Sequence, residues 1–418
     1  MEIQVKRLRD TLDLLVPVIP RKTSLKSLSY VRLGDGRAVA TDLETNAAFE
    51  LPGADEALLL PGKDALVFLK YTPGATMAHI TADGSKVTIT AGDMETSFTD
   101  LPSVDDFPPL PKVEEKSEGV LKGDALVRTL SALSSYAAVD NVARPVLSGV
   151  YLVPGDEIEA AAADGFRLAW RVIPGRLSGP SMIIPLKAVD ILEHMWKRAA
   201  TPDLSGVQDL ASLARAPRLI RLSWGNKYLK LNFDAVTLII CLIPGSFPDY
   251  RQLIPTETKP PVTVWAEDME RALAQVAPVA KDNKGIVRLL WEGEKLQVSA
   301  VGDEREITVP IRAQFTEPGN TAMDIQYLRE YFKGLSGVVS LQTESPKTPI
   351  LFAYKGVPNT VVMPMFVDGE AKAEVKEEIE AEVEEPADEV VEEKVEEPVE
   401  TEVKAEVKEK KAKKKVKR

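Results

Sequence analysis

The sequence predicts an α+β protein assembled from one large unit used three times, each copy carrying two short helices packed on antiparallel sheets. Three observations carry this expectation. Apolar residues recur at i, i+4 and i+7 in Leu8/Leu12/Leu15, in Leu126/Leu130/Leu133, and in Met269/Leu273/Val276. Each stripe is followed by three short strand-like runs, a second helix and three more runs. The copies are spaced by roughly 120 to 140 residues, the mark of an internal repeat. Helices this short are marginal alone, so their stripes must pack on sheets.

In the first copy, the opening helix is closed by Pro17 and Pro20. Strands are expected at 29–33, 38–41 and 47–51, then a helix at 63–71 after Pro61, then strands at 78–81, 86–91 and 95–99. The prolines of Asp106-Phe107-Pro108-Pro109-Leu110-Pro111 lack the donors a helix or central strand needs, so the copy ends there. The polar stretch 113–119 reads as a linker. The second copy begins its helix after Gly123 and places strands at 147–153, 157–162 and 167–173. A helix at 187–197 follows Pro185, and 202–217 reads as an insertion without counterpart. Strands at 219–224, 228–233 and 236–243 lead to a second closure at Phe247-Pro248. The third copy places strands at 285–292, 295–301 and 305–310, a helix at 324–335, and strands at 338–343, 349–354 and 360–365. Asp42, Asp164 and Asp303 mark equivalent turns, and at Asp164-Gly165 the glycine supplies a positive φ. The expected domains are 1–114, 119–256 and 260–367, with a tail at 368–418.

The net charge of −12 is unevenly placed: the tail from Asp368 holds 19 acidic and 12 basic residues, leaving −5 for the body. A mildly acidic body argues against a protein that coats nucleic acid over its whole surface, but leaves room for a basic face. The tail composition predicts disorder. Its final block, Lys410 to Arg418, offers a contact to nucleic acid or to the acidic stretch before it. The single cysteine, Cys241, allows no disulfide framework. The charged start Met1 to Arg7 is unlike a signal peptide, and no apolar run approaches the roughly 18 residues a span requires. A cytoplasmic protein with no membrane association is expected. His79 and His194 lie in different copies without metal-ligand neighbours, and no phosphate loop, dinucleotide fingerprint or nucleophile elbow is present. No catalytic residue, metal or cofactor is expected.

The motifs then fall into a known order. Arg144-Pro-Val-Leu-Ser-Gly-Val, Ala163-Asp-Gly-Phe-Arg-Leu-Ala169, Phe247-Pro-Asp-Tyr-Arg251 with Ile254-Pro255, and Val361-Val-Met-Pro-Met365 together resemble the bacterial DNA polymerase III β subunit, the β sliding clamp. The resemblance covers residues 1 to 367. It implies the DNA clamp fold, closed as a head-to-tail homodimer ring around double-stranded DNA without sequence preference, with the helices lining the hole. Those helices carry or adjoin Lys6, Arg7, Arg9, Lys63, Lys70, Lys122, Arg128, Lys187, Arg271, Lys281, Lys284, Arg329 and Lys333. Arg21, Lys22, Asn141 and Arg144 match the family's DNA-touching loops, and Lys284 is placed with them.

The resemblance also implies partners: the DNA polymerase III catalytic subunit, the clamp loader, and other polymerases, ligase and mismatch-repair proteins. Their peptides would enter an apolar cleft between the second and third domains. On the second domain the matching positions are Leu147, Gly165, Phe166, Arg167, Leu168, Pro248 and Leu253. On the third they are Asp324, Tyr327, Val361, Val362, Met363, Pro364 and Met365. Leu, Val and Met suit an adaptable apolar pocket, and Tyr327 adds a polar rim. Ala163, Phe166 and Gln252 stand where the family usually has threonine, histidine or tyrosine, and arginine, which alters the rim. The alternative from another class is a clamp-fold scaffold that binds proteins without encircling DNA.

Overall fold

One motif is built six times among the described residues: a short strand running into a helix, then three antiparallel strands. The computed structural model describes residues 1–139, 141–199, 217–256 and 259–365. Val367–Arg418 form a separate unit. It lies outside the described residues, as does all of the expected insertion but Pro217. The first copy is β1 (Glu2–Gln4), α1 (Val5–Leu15), β2 (Val31–Gly34), β3 (Arg37–Thr41) and β4 (Thr45–Glu50); the second is β5 (Leu58–Leu60), α2 (Gly62–Lys70), β6 (Met77–Asp83), β7 (Lys86–Ala91) and β8 (Met94–Phe98). The third is β9 (Ser117–Lys122), α3 (Gly123–Ser134), β10 (Gly149–Val153), β11 (Ile158–Ala163) and β12 (Arg167–Ile173); the fourth is β13 (Met182–Pro185), α4 (Leu186–Arg198), β14 (Leu219–Trp224), β15 (Tyr228–Phe233) and β16 (Val236–Cys241). The fifth is β17 (Val262–Trp265), α5 (Ala266–Ala280), β18 (Ile286–Glu292), β19 (Lys295–Val301) and β20 (Glu306–Gln314); the sixth is β21 (Gly319–Asp324), α6 (Ile325–Phe332), β22 (Val338–Gln342), β23 (Ile350–Ala353) and β24 (Asn359–Val362).

The leading strands were not expected from the sequence. Each crosses to the sheet of its neighbouring copy: β1 pairs β6 and β5 pairs β2, β9 pairs β14 and β13 pairs β10, β17 pairs β22 and β21 pairs β18. This exchange locks copies together two by two. It also corrects the linker at 113–119, whose last residues begin β9 and pair with β14 (Ser117 with Trp224).

The third strands then join the pairs edge to edge. β4 pairs antiparallel with β16 (Ala47 with Leu238), and β12 with β24 (Leu168 with Val361). The result is sheets of four, eight and twelve strands. Among the described residues two third strands have no such partner: β8 pairs β7 alone, and β20 over Glu306–Arg312 pairs β19 alone.

The predicted stripes are the core. Leu8, Leu12, Leu15, Leu126, Leu130, Leu133, Met269, Leu273 and Val276 are all buried. At about 1.5–3 kcal/mol per buried side chain, these stripes hold the helix layer on the sheets. The two Phe-Pro closures plug the opposite sheet faces: Phe107 packs with Val39, Ala48 and Leu59, and Phe247 with Ala161, Leu168 and Ile183. The turn equivalence is corrected in the third repeat. Asp42 and Asp164 donate their amides to the carbonyls of Thr45 and Arg167, but Gly302, not Asp303, does so to Arg305.

Candidate partner cleft and nucleic-acid face

Gly165, at φ +102°, lets the β11–β12 turn close, and a Cβ there would meet nothing within 4 Å. Its requirement is conformational, not contact. Asp164 Oδ1 accepts from the amides of Phe166 (2.9 Å) and Arg167 (3.0 Å). This Asx turn frees the Phe166 carbonyl to accept from the Met363 amide at 2.8 Å. The turn therefore sets the β12–β24 junction.

Arg167 sits inside that junction with its side chain only 10% exposed. Its Nε donates to Asp164 Oδ2 (3.0 Å), Nη1 to Glu330 Oε2 of α6 (2.5 Å), and Nη2 to the Ser135 carbonyl after α3 (2.7 Å). The guanidinium lies 4.7 Å from the Tyr327 ring centre and 5.1 Å from that of Tyr136. Burial pushes the Tyr136 phenol above its ordinary value, and burial with the Asp164 and Asp324 carboxylates does the same to Tyr327. Both rings stay neutral around the cation.

The remaining expected cleft residues divide by burial. Leu147, Leu168 and Val361 join one apolar cluster with Phe247 and Tyr250, while Val362 belongs to the core of the last two copies. These four are floor or core, not open surface. Phe166 (63% exposed), Leu253 and Met363 are the large apolar side chains presented to solvent, and Pro248 is exposed as well. Asp324 caps α6 by accepting from the Gln326 amide (2.7 Å), and Met365 is tied by its amide to the Ala322 carbonyl (2.8 Å), leaving Pro364 half-buried between. Phe247 stacks on Tyr151 at 4.8 Å, and Tyr250 donates to Glu159 (2.5 Å), which Arg251 also holds (2.7 Å). That explains the Phe-Pro-Asp-Tyr-Arg run as the cleft's support. Gln252, in the usual arginine position, donates to Asp249 (3.0 Å).

The five expected DNA-contacting residues occupy one repeated place. Arg21 and Lys22 lie between α1 and β2, Asn141 and Arg144 between α3 and β10, and Lys284 between α5 and β18. All but the half-buried Asn141 are exposed. Asn141 Oδ1 accepts from the Arg144 amide (2.9 Å), so its carbonyl oxygen shapes the loop. Nearby Val142 is 92% exposed. On the helices, Arg9 is paired with Asp10, Lys187 with Asp42 and Arg271 with Asp268, which removes all three from the expected set of free cations. Lys6, Arg7, Lys63, Lys70, Lys122, Arg128, Lys281, Lys284, Arg329 and Lys333 carry no ion pair among the described residues.

Comparison with known proteins agrees with this geometry. A family model described as the central domain of the DNA polymerase III beta subunit matches residues 121–249. The beta sliding clamp of Synechococcus elongatus is 25% identical over 265 residues, covering 61% of this chain and 66% of that protein. That of Rickettsia bellii is 29% identical over 236 residues, 53% of this chain and 59% of that protein. The chain thus aligns with less than two thirds of the length of these curated relatives. The solved DNA polymerase sliding clamp of Pseudomonas aeruginosa superposes with a TM-score of 0.75 at 21% identity, over 88% of this chain and 99% of that one. The Bartonella birtlesii sliding clamp, solved bound to griselimycin, gives 0.77 at 20% identity over the same shares.

Proposed function

We propose that this chain, a divergent member of the DNA polymerase III β-subunit family, is a DNA sliding clamp that acts by topology and not by catalysis. Two copies close head to tail around duplex DNA and tether a replicative polymerase, with loading by a separate ATP-driven loader. The observation that carries the reading is the disposition of the third strands. Inside the chain they pair edge to edge, as β4 with β16 and β12 with β24. The two left open, β8 and β20, belong to the second and fifth copies. Pairing β8 of one chain with β20 of another, twice, closes a ring and leaves no third-strand edge exposed.

The unpaired helix cations would hold phosphates without reading sequence, as sliding requires. The domains are taken as 1–114, 117–256 and 260–367, the second moved back to include β9, with the tail at 368–418. Phe166, Leu253 and Met363, over the floor of Leu147, Leu168 and Val361, would take apolar side chains of partner peptides. Among the described residues no helix is long and apolar enough to cross a membrane, and we place the protein in the cytoplasm.

The test is retention on circular and linearised plasmid after loading by a matched loader with ATP. Retention on circles with loss from linear ends is expected. Equal retention on both would mean a surface contact and would favour a scaffold.

A further inference from the structure

The scaffold of the cleft is built twice in this chain. At the β12–β24 junction the Met363 amide donates to the Phe166 carbonyl and the Met365 amide to the Ala322 carbonyl, each at 2.8 Å. At the β4–β16 junction the Cys241 amide donates to the Glu44 carbonyl (2.7 Å) and the Ile243 amide to the Ile183 carbonyl (3.0 Å). The Asx turn is repeated too: Asp42 Oδ1 accepts from the amides of Glu44 (3.0 Å) and Thr45 (2.6 Å), as Asp164 does from Phe166 and Arg167. The registers agree, with Asn46 facing Ile239 where Leu168 faces Val361. The repeat thus sets Leu43 in the place of Gly165 and Glu44 in that of Phe166. Leu43 is at odds with its place. It holds φ +77°, which glycine takes freely and a residue with a Cβ takes only under strain, and it is 54% exposed. Neither backbone nor burial favours a leucine there, and strain of this kind gathers at sites that hold ligands.

On the same hairpin, Phe107 packs with Val39 and Ala48, and the half-buried Tyr30, Val104 and Leu110 lie against that cluster. The chemistry differs from that of the first cleft. Asn46, in the place of Leu168, is buried and satisfied: its Oδ1 accepts from Thr41 (2.6 Å) and its amide donates to the Ile239 carbonyl (3.4 Å). The rim is acidic. Glu44, Asp105 and Asp106 are exposed and carry no ion pair among the described residues. Lys187 is held by Asp42, Arg32 by Asp35, and Lys26 by the Asp100 carbonyl. We propose that the β4–β16 junction is a second peptide cleft, which takes a partner-protein segment carrying lysine or arginine beside leucine-like side chains. It rests on the peptide reading of the first cleft. The apolar anchor packs on Leu43 and the Phe107 cluster, and the cation meets Glu44. A partner engaged at both clefts is held at two points of one chain, and the second contact then forms at high effective concentration.

The test is fluorescence anisotropy on the full chain with a labelled peptide of alternating lysine and leucine, and with the same peptide carrying alanine for leucine to read charge attraction alone. The leucine probe should bind at least roughly fivefold tighter than the alanine probe, and Leu43→Gly should remove that advantage. Glycine is the residue the equivalent turn uses, so the hairpin is kept. Glu44→Lys should weaken the leucine probe by at least roughly fivefold, whereas Glu50→Lys, exposed at the far end of β4, should not. Saturating the first cleft with a polymerase-derived peptide should leave the probe bound. Equal affinity for the two probes, an advantage that survives Leu43→Gly, equal weakening by Glu44→Lys and Glu50→Lys, or displacement by the polymerase-derived peptide overturns the second cleft. Failure of the first-cleft reading shows separately, as no binding of the polymerase-derived peptide to the unmodified protein.

Discussion

Arg167→Met tests the claim that one buried cation holds the β12–β24 junction. The substitution keeps the stem length and removes the charge. It strips an ion pair at 3.0 Å to Asp164, one at 2.5 Å to Glu330, a donor to Ser135 and two ring contacts. Breaking a fully buried pair from one side costs about 3–5 kcal/mol. Here the Glu330 side chain is 42% exposed and can be rehydrated, and Asp164 keeps its two backbone donors. The expected cost is therefore lower, about 2–3 kcal/mol. It should fall locally, because the cores of α1–α4 and of α5–α6 do not contain this residue. Hydrogen exchange read on a peptide spanning 359–365, where the Met363 amide bonds Phe166, should speed by roughly 30- to 150-fold. A cycle with Glu330→Gln should give a coupling of about 1 kcal/mol or more. Exchange unchanged within threefold at 359–365, or acceleration spread evenly over the chain, would refute the latch.

Other consequences follow from the same geometry. Ile307→Asp places a charge on the open edge of β20, where Ile307 is half-buried against the last core; sedimentation should show dimer weakened by at least roughly a hundredfold in Kd, and an unshifted dimer would exclude this edge from the interface. Met363→Ala with Met365→Ala should weaken binding of a polymerase-derived peptide by roughly 5- to 100-fold while the dimer persists, and unchanged affinity in calorimetry would show the cleft assignment wrong. Asp268 accepts from Arg312 (2.8 Å) and Arg271 (2.5 Å), which hold its carboxyl below the ordinary range. A lowered folded-state pKa means stability that is complete above the ordinary aspartate value of about 4 and is lost as pH falls through the lower one. Asp268→Asn should flatten this acid limb in thermal melts, and an identical acid limb in both proteins would remove Asp268 as its source.

The helix stripes and most of the central strands were legible because their periodicity is local. The leading strands were not, for two reasons. They are three to six residues long, and five of the six run into their helix with no intervening residue, as Gln4 into Val5 and Asp324 into Ile325. At Gln4–Val5 and Trp265–Ala266 no turn residue marks the change, and an extended N-cap residue such as Lys122 or Trp265 has no capping side-chain bond to betray it. Their stability comes from non-local pairing, as between Glu2 and His79 or Lys122 and Leu219, which no window of sequence contains. The site divides the same way. Asp164 and Gly165 announce their turn, but Arg167's partner Glu330 lies 163 residues away. Leu147 and Val361 look like an open pocket in sequence because hydrophobicity alone does not separate a cleft wall from the floor beneath it.

The repeat also predicts the character of the contact that closes the ring. Arg167 and Arg305 hold equivalent hairpin positions, and both reach back to the end of the first helix of their repeat, Arg167 to the Ser135 carbonyl and Arg305 to Asp282 and the Pro278 carbonyl. At the junction inside the chain, Arg167 goes further and pairs with Glu330, the sixth residue of α6. In the corresponding junction between chains, β20 would meet the copy that contains α2, whose sixth residue is Val67, 64% exposed. Arg305 and Arg312 on the β20 side are already paired with Asp282 and Asp268. The closing contact should therefore be apolar where the internal one is ionic, and nearly insensitive to screening. Dimer Kd by sedimentation should change less than roughly threefold between about 50 and about 500 mM salt, while Val67→Asp should weaken it and introduce a salt dependence. A steep rise of Kd with salt in the unmodified protein would mean that ion pairs close the ring, and that the equivalence between β12–β24 and the β20–β8 contact extends to its charges.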